Sequence, residues 1–470
     1  MGCESNNANA TPPSPAIAPG AEGIDPAEVA REFGRRGVDP RLRAVVPAFD
    51  APFFQAGLAG YSDAAMRIIA RRHGCPFCVT ESLLDRTLLA GGRGFIKADL
   101  GDLHLNVPGG PEDHPLACQI MGSDPDEMSA AALKVAEQGR QGGQFYRDRA
   151  YPKTGFPLSQ ARGLRLPGGE QLPPFELCEG CEDEMGQMGH IGQMGQIESA
   201  RSGEQLAFET IDVNLACPVK KVKSKARGGH WLAEPEGAVE ILKAVRAAVP
   251  REIPCTVKLR RAYDDTPEMA QRFERVFNAA YELGYAWATV HARTVEQKYV
   301  GPSRWGVLRD LVKRHPDRPI LGSGDIWNAA DIFRMLAYTG VSAAAVARGC
   351  IGNPWIFRQA RQMMAGEAPT APTIAEQRAV LEEHFRLCMA LNGEKQAGML
   401  MRKFGIRFAE HHPRGEEVRR AFIAVGSIAD WEGVLGEFYG SAGGRVESAG
   451  ACADSCASGV GGEPGAVRAS

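Results

Sequence analysis

Residues 254–291, PCTVKLRRAYDDTPEMAQRFERVFNAAYELGYAWATVH, are the stretch from which the fold is read. Pro254–Leu259 and Trp287–His291 are short apolar runs, and between them Pro267–Leu283 carries apolar residues at helical spacing behind Thr266. A strand, a helix and a second strand in that order form a crossover unit, which joins parallel strands.

The alternation continues in both directions. Further strands are read at Phe53–Ala56, Phe77–Thr80, Leu116–Met121, Thr210–Val213, Pro319–Gly322 and Ala343–Ala347, and further helices at Asp126–Gln138, Glu236–Val249 and Ala329–Tyr338. Residues 140–206 hold Gly-Gly, Pro-Pro and the near-repeat GQMGHIGQMGQ, and read as an irregular surface insertion. Without its 67 residues, Ala44–Ala360 leaves 250 for eight strand–helix units. That is the arithmetic of an α/β fold of the TIM (β/α)8 barrel type. The expected organisation is a flexible arm over 1–43 with a short helix near Ala27–Arg35, a barrel over 44–362, an all-helical domain over 363–440 and a disordered Gly/Ala/Ser tail over 441–470. Within the helical domain, Thr373–Leu391 and Gln396–Ala424 read as wholly helical.

Composition narrows the function. The 54 Lys+Arg against 57 Asp+Glu exclude a uniformly basic binder but leave room for a local basic groove. No apolar run approaches the ~20 residues that span a bilayer, and twelve cysteines in 470 residues are too sparse for a disulfide scaffold. A cytoplasmic protein without membrane attachment is expected. Of the 55 glycines, 24 fall in 1–43, 140–206 and 441–470, which accounts for much of the glycine excess.

In such barrels chemistry gathers where strands end. Those ends carry Gln55–Asp63, Thr80-Glu81, Gln119, Asn214 with Cys217 just beyond, Lys258 and Arg260, His291–Thr294, Gly324-Asp325 and Arg348-Gly349. Singly each reads as a loop cap or a satisfied core residue; polar groups at all eight ends do not. Ser323, Gly324 and Asp325, with Ala347 and Arg348, follow the last two strands, where barrels bind phosphate through backbone N–H groups. Cys217 precedes a loop in which Lys220–Arg227 holds five basic residues and no acid, a polyanion-facing pattern. A thiol pKa of ~8.5 suits a proton donor, whereas neighbouring lysines favour thiolate, and both roles stay open. Two CxxC pairs, Cys75/Cys78 and Cys178/Cys181, lie about 100 residues apart, the first flanking a barrel strand. No metal is assigned to them, nor to the local set of Cys178, Cys181 and His190.

These blocks together resemble the tRNA-dihydrouridine synthases, flavoenzymes that reduce uridine in tRNA. Gln55–Asp63 is similar to the family's "LAPMAGVTD" turn and Thr80-Glu81 to its "TE". HPLACQIMGSDPDEM resembles "QLfGsdP", and IDVNLACPVKKVKSKARGGHWL resembles "IDINmGCPvkKv…GaaLl". TVKLR, VHARTVEQKYVGPSRW and GCIGNPWIF are similar to the later blocks, so the resemblance covers about Ala44–Arg361 apart from the insertion. It implies FMN contacts from Gly57, Leu58, Ala59, Gln119, Lys258 and His291, and contacts to its phosphate from Ser323, Gly324, Asp325, Ala347 and Arg348. It implies an oxidoreductase acting on CH–CH groups: NADPH or NADH reduces FMN, flavin N5 gives hydride to uracil C6, and Cys217 protonates C5, yielding 5,6-dihydrouridine. Asn214, Lys220, Lys221, Arg260, Arg293, Arg402 and Arg407 are the expected tRNA contacts, and no obligate protein partner is implied. The chain departs from the pattern at Gly57-Leu58 (for Pro-Met), Ala216 (for Gly), Ser323 (for Asn) and Ala347 (for Gly). Ala216 narrows the backbone conformations open beside Cys217. A flavin barrel acting on a free pyrimidine, and a non-catalytic RNA binder on a decayed barrel, are the alternatives.

Overall fold

The computed structural model describes residues 20–90, 111–137, 139, 141–150, 208–218 and 228–440. Strands β1 (Phe53–Gln55), β2 (Cys78–Val79), β3 (Leu83–Leu84), β4 (Leu116–Met121), β5 (Thr210–Leu215), β6 (Cys255–Arg260), β7 (Ala288–His291), β8 (Ile320–Ser323) and β9 (Ala343–Val346) are all parallel. Pairing of β1 with β9 and of β2 with β4 closes an eight-stranded barrel, and β3 is a two-residue addition on β4. The expected TIM barrel is therefore the fold, with strand boundaries within two residues of the sequence reading. The helix that decided it runs Pro267–Glu282; Thr266 accepts the Met269 N–H as N-cap and Pro267 stands where no N–H is needed.

Register sets the interior. Gln119 pairs with Asp212 and Asp212 with Thr256, while one layer higher Asn214 pairs with Lys258 and Lys258 with Thr289. Strand side chains alternate, so residues two apart share a face and these polar layers stack within the barrel. Below them the interior is aromatic: Phe49, Phe54, Phe77 and Trp287 pack with ring centroids 5.4–6.3 Å apart. Outward residues of the same strands, such as Cys118, Val213 and Val257, join the core shared with the surrounding helices.

Three expectations need correction. The arm is not flexible over 20–43, because helices Pro26–Arg36 and Pro40–Val45 bury Phe33 and Leu42, and Leu42 and Val46 belong to the cluster that fills the barrel floor. The insertion is not irregular throughout, since Gly143–Ala150 is a helix that buries Tyr146 and pairs Arg147 with Glu127 and Arg149 with Glu137 of helix Pro125–Ala136 and its C-cap. The remainder of the insertion, with Cys178, Cys181 and His190, lies outside the described residues, as does the tail. Finally, the break expected between Leu391 and Gln396 is present at Gly393, but the run expected over Gln396–Ala424 stops at Phe408, with separate helices at Gly415–Ala424 and Ile428–Phe438. Gly393, at φ 71° and ψ 169°, parts Ile374–Phe408 into two helical stretches, and after Phe408 the chain tightens into a 3-10 turn at Ala409–His411 and becomes extended at His412, before Pro413.

The helical region leans on the end of the barrel where the strands finish. Lys403 Nζ donates to the Gly60 carbonyl at 2.6 Å and lies 4.7 Å from the Tyr61 ring centroid, both in the turn after β1.

Candidate active site

Cys217 follows β5 and is half-buried. Asn214, the penultimate residue of that strand, holds the segment: its Oδ1 accepts the Ala216 and Cys217 N–H groups at 2.9 and 3.2 Å. The Asn214 amide is itself oriented by donating to Ser82 Oγ (3.0 Å) and Gln119 Oε1 (2.8 Å). On the other side, Gly229 N–H donates to the Cys217 carbonyl at 2.9 Å. Gly228 stands at φ +54°, and a Cβ there would lie 2.9 Å from Cys217 Cβ, so glycine is required for the loop to close behind the cysteine. Ala216 has no positive φ, so its replacement of glycine carries no backbone strain.

Beneath the cysteine is a buried polar line. Asp212 accepts from Gln119 Nε2 at 2.8 Å and from Thr256 Oγ1 at 2.7 Å. Burial pushes Asp212 upward, and its charge in turn supports Lys258. Lys258 is pushed down to about 8, first by burial and then by Arg260. Gly57, Gln119, Asp212, Thr256, Lys258 and Thr289 line a small cavity that also touches Phe54, Phe77 and Trp287.

A second small cavity is lined by His291, Ser323, Gly324, Asp325, Ala347 and Arg348, all six from the sequence reading. His291 is held well below the usual imidazole range, first by burial and then by Arg260, Lys258, Arg293 and Arg348. Its Nδ1 accepts the Arg293 N–H at 3.2 Å, which assigns the proton of the neutral ring to Nε2. Asp325 is one of two described non-glycine residues at positive φ (53°), a conformation aspartate tolerates. Its carboxylate does not face an anion directly: Arg293 Nη2 donates to both oxygens at 2.7 Å, and Ser303 N–H donates at 2.7 Å. Arg348 lies 3.5 Å from Asp325 and stacks over Trp327 and Tyr299, 4.6 and 5.0 Å from their centroids.

Of the four cations around His291, Lys258 faces Asp212 while Arg293 and Arg348 share Asp325, so positive charge exceeds carboxylate charge, and Ser303 Oγ and Arg293 Nη1 are enclosed without a partner among the described residues. That donor set fits a phosphate, and Gln119 and Lys258 offer hydrogen-bonding groups to the polar edge of a ring. FMN has both parts.

Other expected residues fall elsewhere. Leu58 is half-buried and Ala59 exposed on the turn after β1, and neither lines a cavity. Arg260 and Arg293 are buried, and the Arg260 guanidinium is occupied by the carbonyls of Ala216 (3.0 Å), Thr294 (2.8 Å) and Lys298 (2.6 Å). Arg260 therefore shapes the mouth from inside, while Arg293 holds Asp325 and the Gly301 carbonyl and keeps Nη1 as its one donor without a partner among the described residues. Lys220 and Lys221 lie outside the described residues. Arg402 is exposed, while Arg407 pairs with Glu410 at 3.4 Å and its charge reaches Arg348. Arg414, Arg419 and Arg420 pair with Glu416 or Glu417, as ordinary helix-surface residues do. Sequence reading did not single out Asp212, Ser303 or Tyr299. Tyr299 is 56% exposed above Arg260 and Arg348, and an aromatic among the basic residues of a strand-end loop was its only signal.

Over residues 187–431 the chain matches the family described as dihydrouridine synthase (Dus). It is 32% identical over 233 residues to a probable tRNA-dihydrouridine synthase of Mycobacterium leprae, covering 49% of this chain and 60% of that protein. A probable tRNA-dihydrouridine synthase of Mycobacterium tuberculosis is 33% identical over 242 residues, 51% of this chain and 61% of the relative. One from Rickettsia conorii is 31% identical over 245 residues, 52% and 72% respectively. The chain thus spans about 60% of the length of the first two relatives.

Proposed function

This chain belongs to the dihydrouridine synthase family, and from that premise we propose that it is an FMN-dependent enzyme reducing uridines of tRNA to 5,6-dihydrouridine with NADPH or NADH. The observation that carries the reading is Cys217, fixed by Asn214 and Gly229 beside a mouth where Lys258, Arg260, Arg293 and Arg348 converge. When bound, FMN supplies the hydride that reaches C6 of the uracil ring. Gln119 and Lys258 would hold its ring system, with Gly57 and the Leu58–Ala59 turn alongside. Ser323, Gly324, Ala347, Arg348 and the backbone of Asp325 would hold its phosphate. The Lys258 ammonium favours negative charge on the ligand beside it, in a site where little water screens it.

Cys217 gives its thiol proton to C5, and Asn214 keeps the cysteine's backbone in place while it does so. A uracil must leave its stack to reach the mouth. Tyr299 offers a stacking face there, and Arg402 and Arg407, with Lys220 and Lys221, offer cations to phosphates. The test is direct: with unmodified tRNA, FMN and NADPH, the protein should produce dihydrouridine in the tRNA and leave free uracil and orotate untouched. Turnover of a free pyrimidine without tRNA, or tRNA binding by protein that cannot take up flavin, would overturn it.

The lysine supplies a pH dependence. In the free protein its ammonium is fully present below pH about 8 and is lost as pH rises through that value. A ligand that prefers the charged form therefore binds with proton uptake, and its affinity falls as pH rises. FMN titrated into apoprotein should bind more weakly at about pH 9 than at about pH 7, and Lys258→Met should flatten the difference. Equal dependence in both proteins would refute the lysine's role.

A further inference from the structure

Where the turn after β1 meets the helical region, Asp63, His384 and Cys388 bring a carboxylate oxygen, an imidazole nitrogen and a sulfur within 4.8 Å of one another. All three are buried, and none lines either cavity. His384 and Cys388 stand four residues apart on helix Ile374–Phe408, so they share a face. Asp63 reaches them from the N-cap of helix Ala64–Arg72: Oδ1 accepts the Met66 N–H at 2.9 Å, and Oδ2 lies 3.8 Å from Cys388 Sγ.

His384 is the anomaly. Both ring nitrogens are enclosed and neither has a hydrogen-bond partner among the described residues, while the ring packs on Phe404 with centroids 4.3 Å apart. An imidazole always carries a donor or acceptor on each nitrogen, and an enclosed one with neither satisfied is costly. A metal ion would satisfy the nitrogen facing the cluster. Oxygen, imidazole nitrogen and thiolate sulfur form the donor set of a borderline-soft divalent ion. Zinc bonds of ~2.0–2.3 Å place tetrahedral ligand atoms ~3.3–3.8 Å apart. The sulfur–carboxylate pair already has that spacing, and the imidazole completes it by moving about 1.5 Å or less. The Lys403 ammonium is close by, but it is turned to the Gly60 carbonyl and the Tyr61 ring.

We propose that Asp63, His384 and Cys388 bind a divalent transition-metal ion, zinc being the fitting occupant, which staples the turn after β1 to the helical region. Cys388 ligates as thiolate, its proton passing to water, so carboxylate and thiolate balance the charge of the ion. The fourth position is left to a water molecule. Because the same turn carries Gly57, Leu58 and Ala59, the ion would tie the geometry of the barrel mouth to the helices that flank it.

The test uses the full chain and no activity readout. Protein stripped with a chelator and titrated with Co²⁺ should develop tetrahedral cobalt bands and a thiolate-to-cobalt charge-transfer band at one equivalent, and Zn²⁺ should abolish them while raising the thermal midpoint. Cys388→Ala should lose the charge-transfer band and the zinc-dependent rise. Asp63→Asn, which keeps the capping oxygen, should weaken binding by about tenfold or more whether or not the cysteine variant folds. Cys217→Ala and a Cys178→Ala/Cys181→Ala double variant should retain the band, excluding those three thiols as its source. Folded wild-type protein that binds no cobalt, or a charge-transfer band that survives in Cys388→Ala, would overturn the proposal.

Discussion

Cys217→Ala should leave a folded, flavin-binding protein whose rate of dihydrouridine formation is lower by about 10²–10⁴-fold, the span a positioned proton donor contributes. The reason lies in how little else the side chain does. Cys217 is half-buried, and its segment is held through backbone groups by Asn214 and Gly229, bonds that alanine keeps. Its loss therefore removes a proton source without opening the mouth. Single-turnover assays with pre-reduced enzyme separate the two steps: reduction of the flavin by NADPH should be unchanged, and its reoxidation by tRNA should slow. A variant that reoxidises on tRNA at the wild-type rate would remove Cys217 from the mechanism. Asn214→Ala should show a smaller loss, because it frees two N–H groups and lets the cysteine drift while its proton remains available.

The second large effect is on stability. Arg67→Met should destabilise the protein by about 3–5 kcal/mol, the usual result of stranding one member of a buried ion pair. Arg67 and Asp113 are 1% and 0% exposed, and the guanidinium forks onto the carboxylate at 2.9 and 2.7 Å. A third donor, Nη1, holds the Ser62 carbonyl at 2.7 Å, which ties the pair to the turn after β1. Methionine fills much of the volume but leaves the Asp113 charge enclosed. The denaturant midpoint should fall with the slope unchanged, and an additional Asp113→Leu change should recover most of the loss. A shift under about 1 kcal/mol would mean that water reaches Asp113 once the arginine is gone.

How much of this was legible beforehand depends on the range of each contact. Cys217, Lys258, His291 and the Ser323–Asp325 turn were found because each sits at a strand end, and strand ends follow from the local rhythm of apolar residues. Roles were harder. Arg260 and Arg293 are arginines at strand ends like Arg348, yet one is spent on three backbone carbonyls and the other on Asp325 and the Gly301 carbonyl. Nothing in a run of residues tells a guanidinium which of them will be enclosed. In the helical region the break at Gly393 was legible, whereas the stop between Phe408 and Gly415 was not, since the side-chain pattern continues across it although the hydrogen-bond ladder does not.

By itself the sequence determined the eight parallel strand–helix units, the position of the cysteine and the two glycine-bearing turns after β8 and β9. Those depend on side-chain period and on glycine, proline and capping residues, which act within about one turn of their own position. Only the tertiary structure decided that Asp212 supports Lys258, that Gly228 closes behind Cys217, and that Asp63 meets Cys388 across a separation of 325 residues. Such pairings are made by barrel closure and by docking of the helices, and a single chain read in order carries no record of which distant residues will share a dry interior.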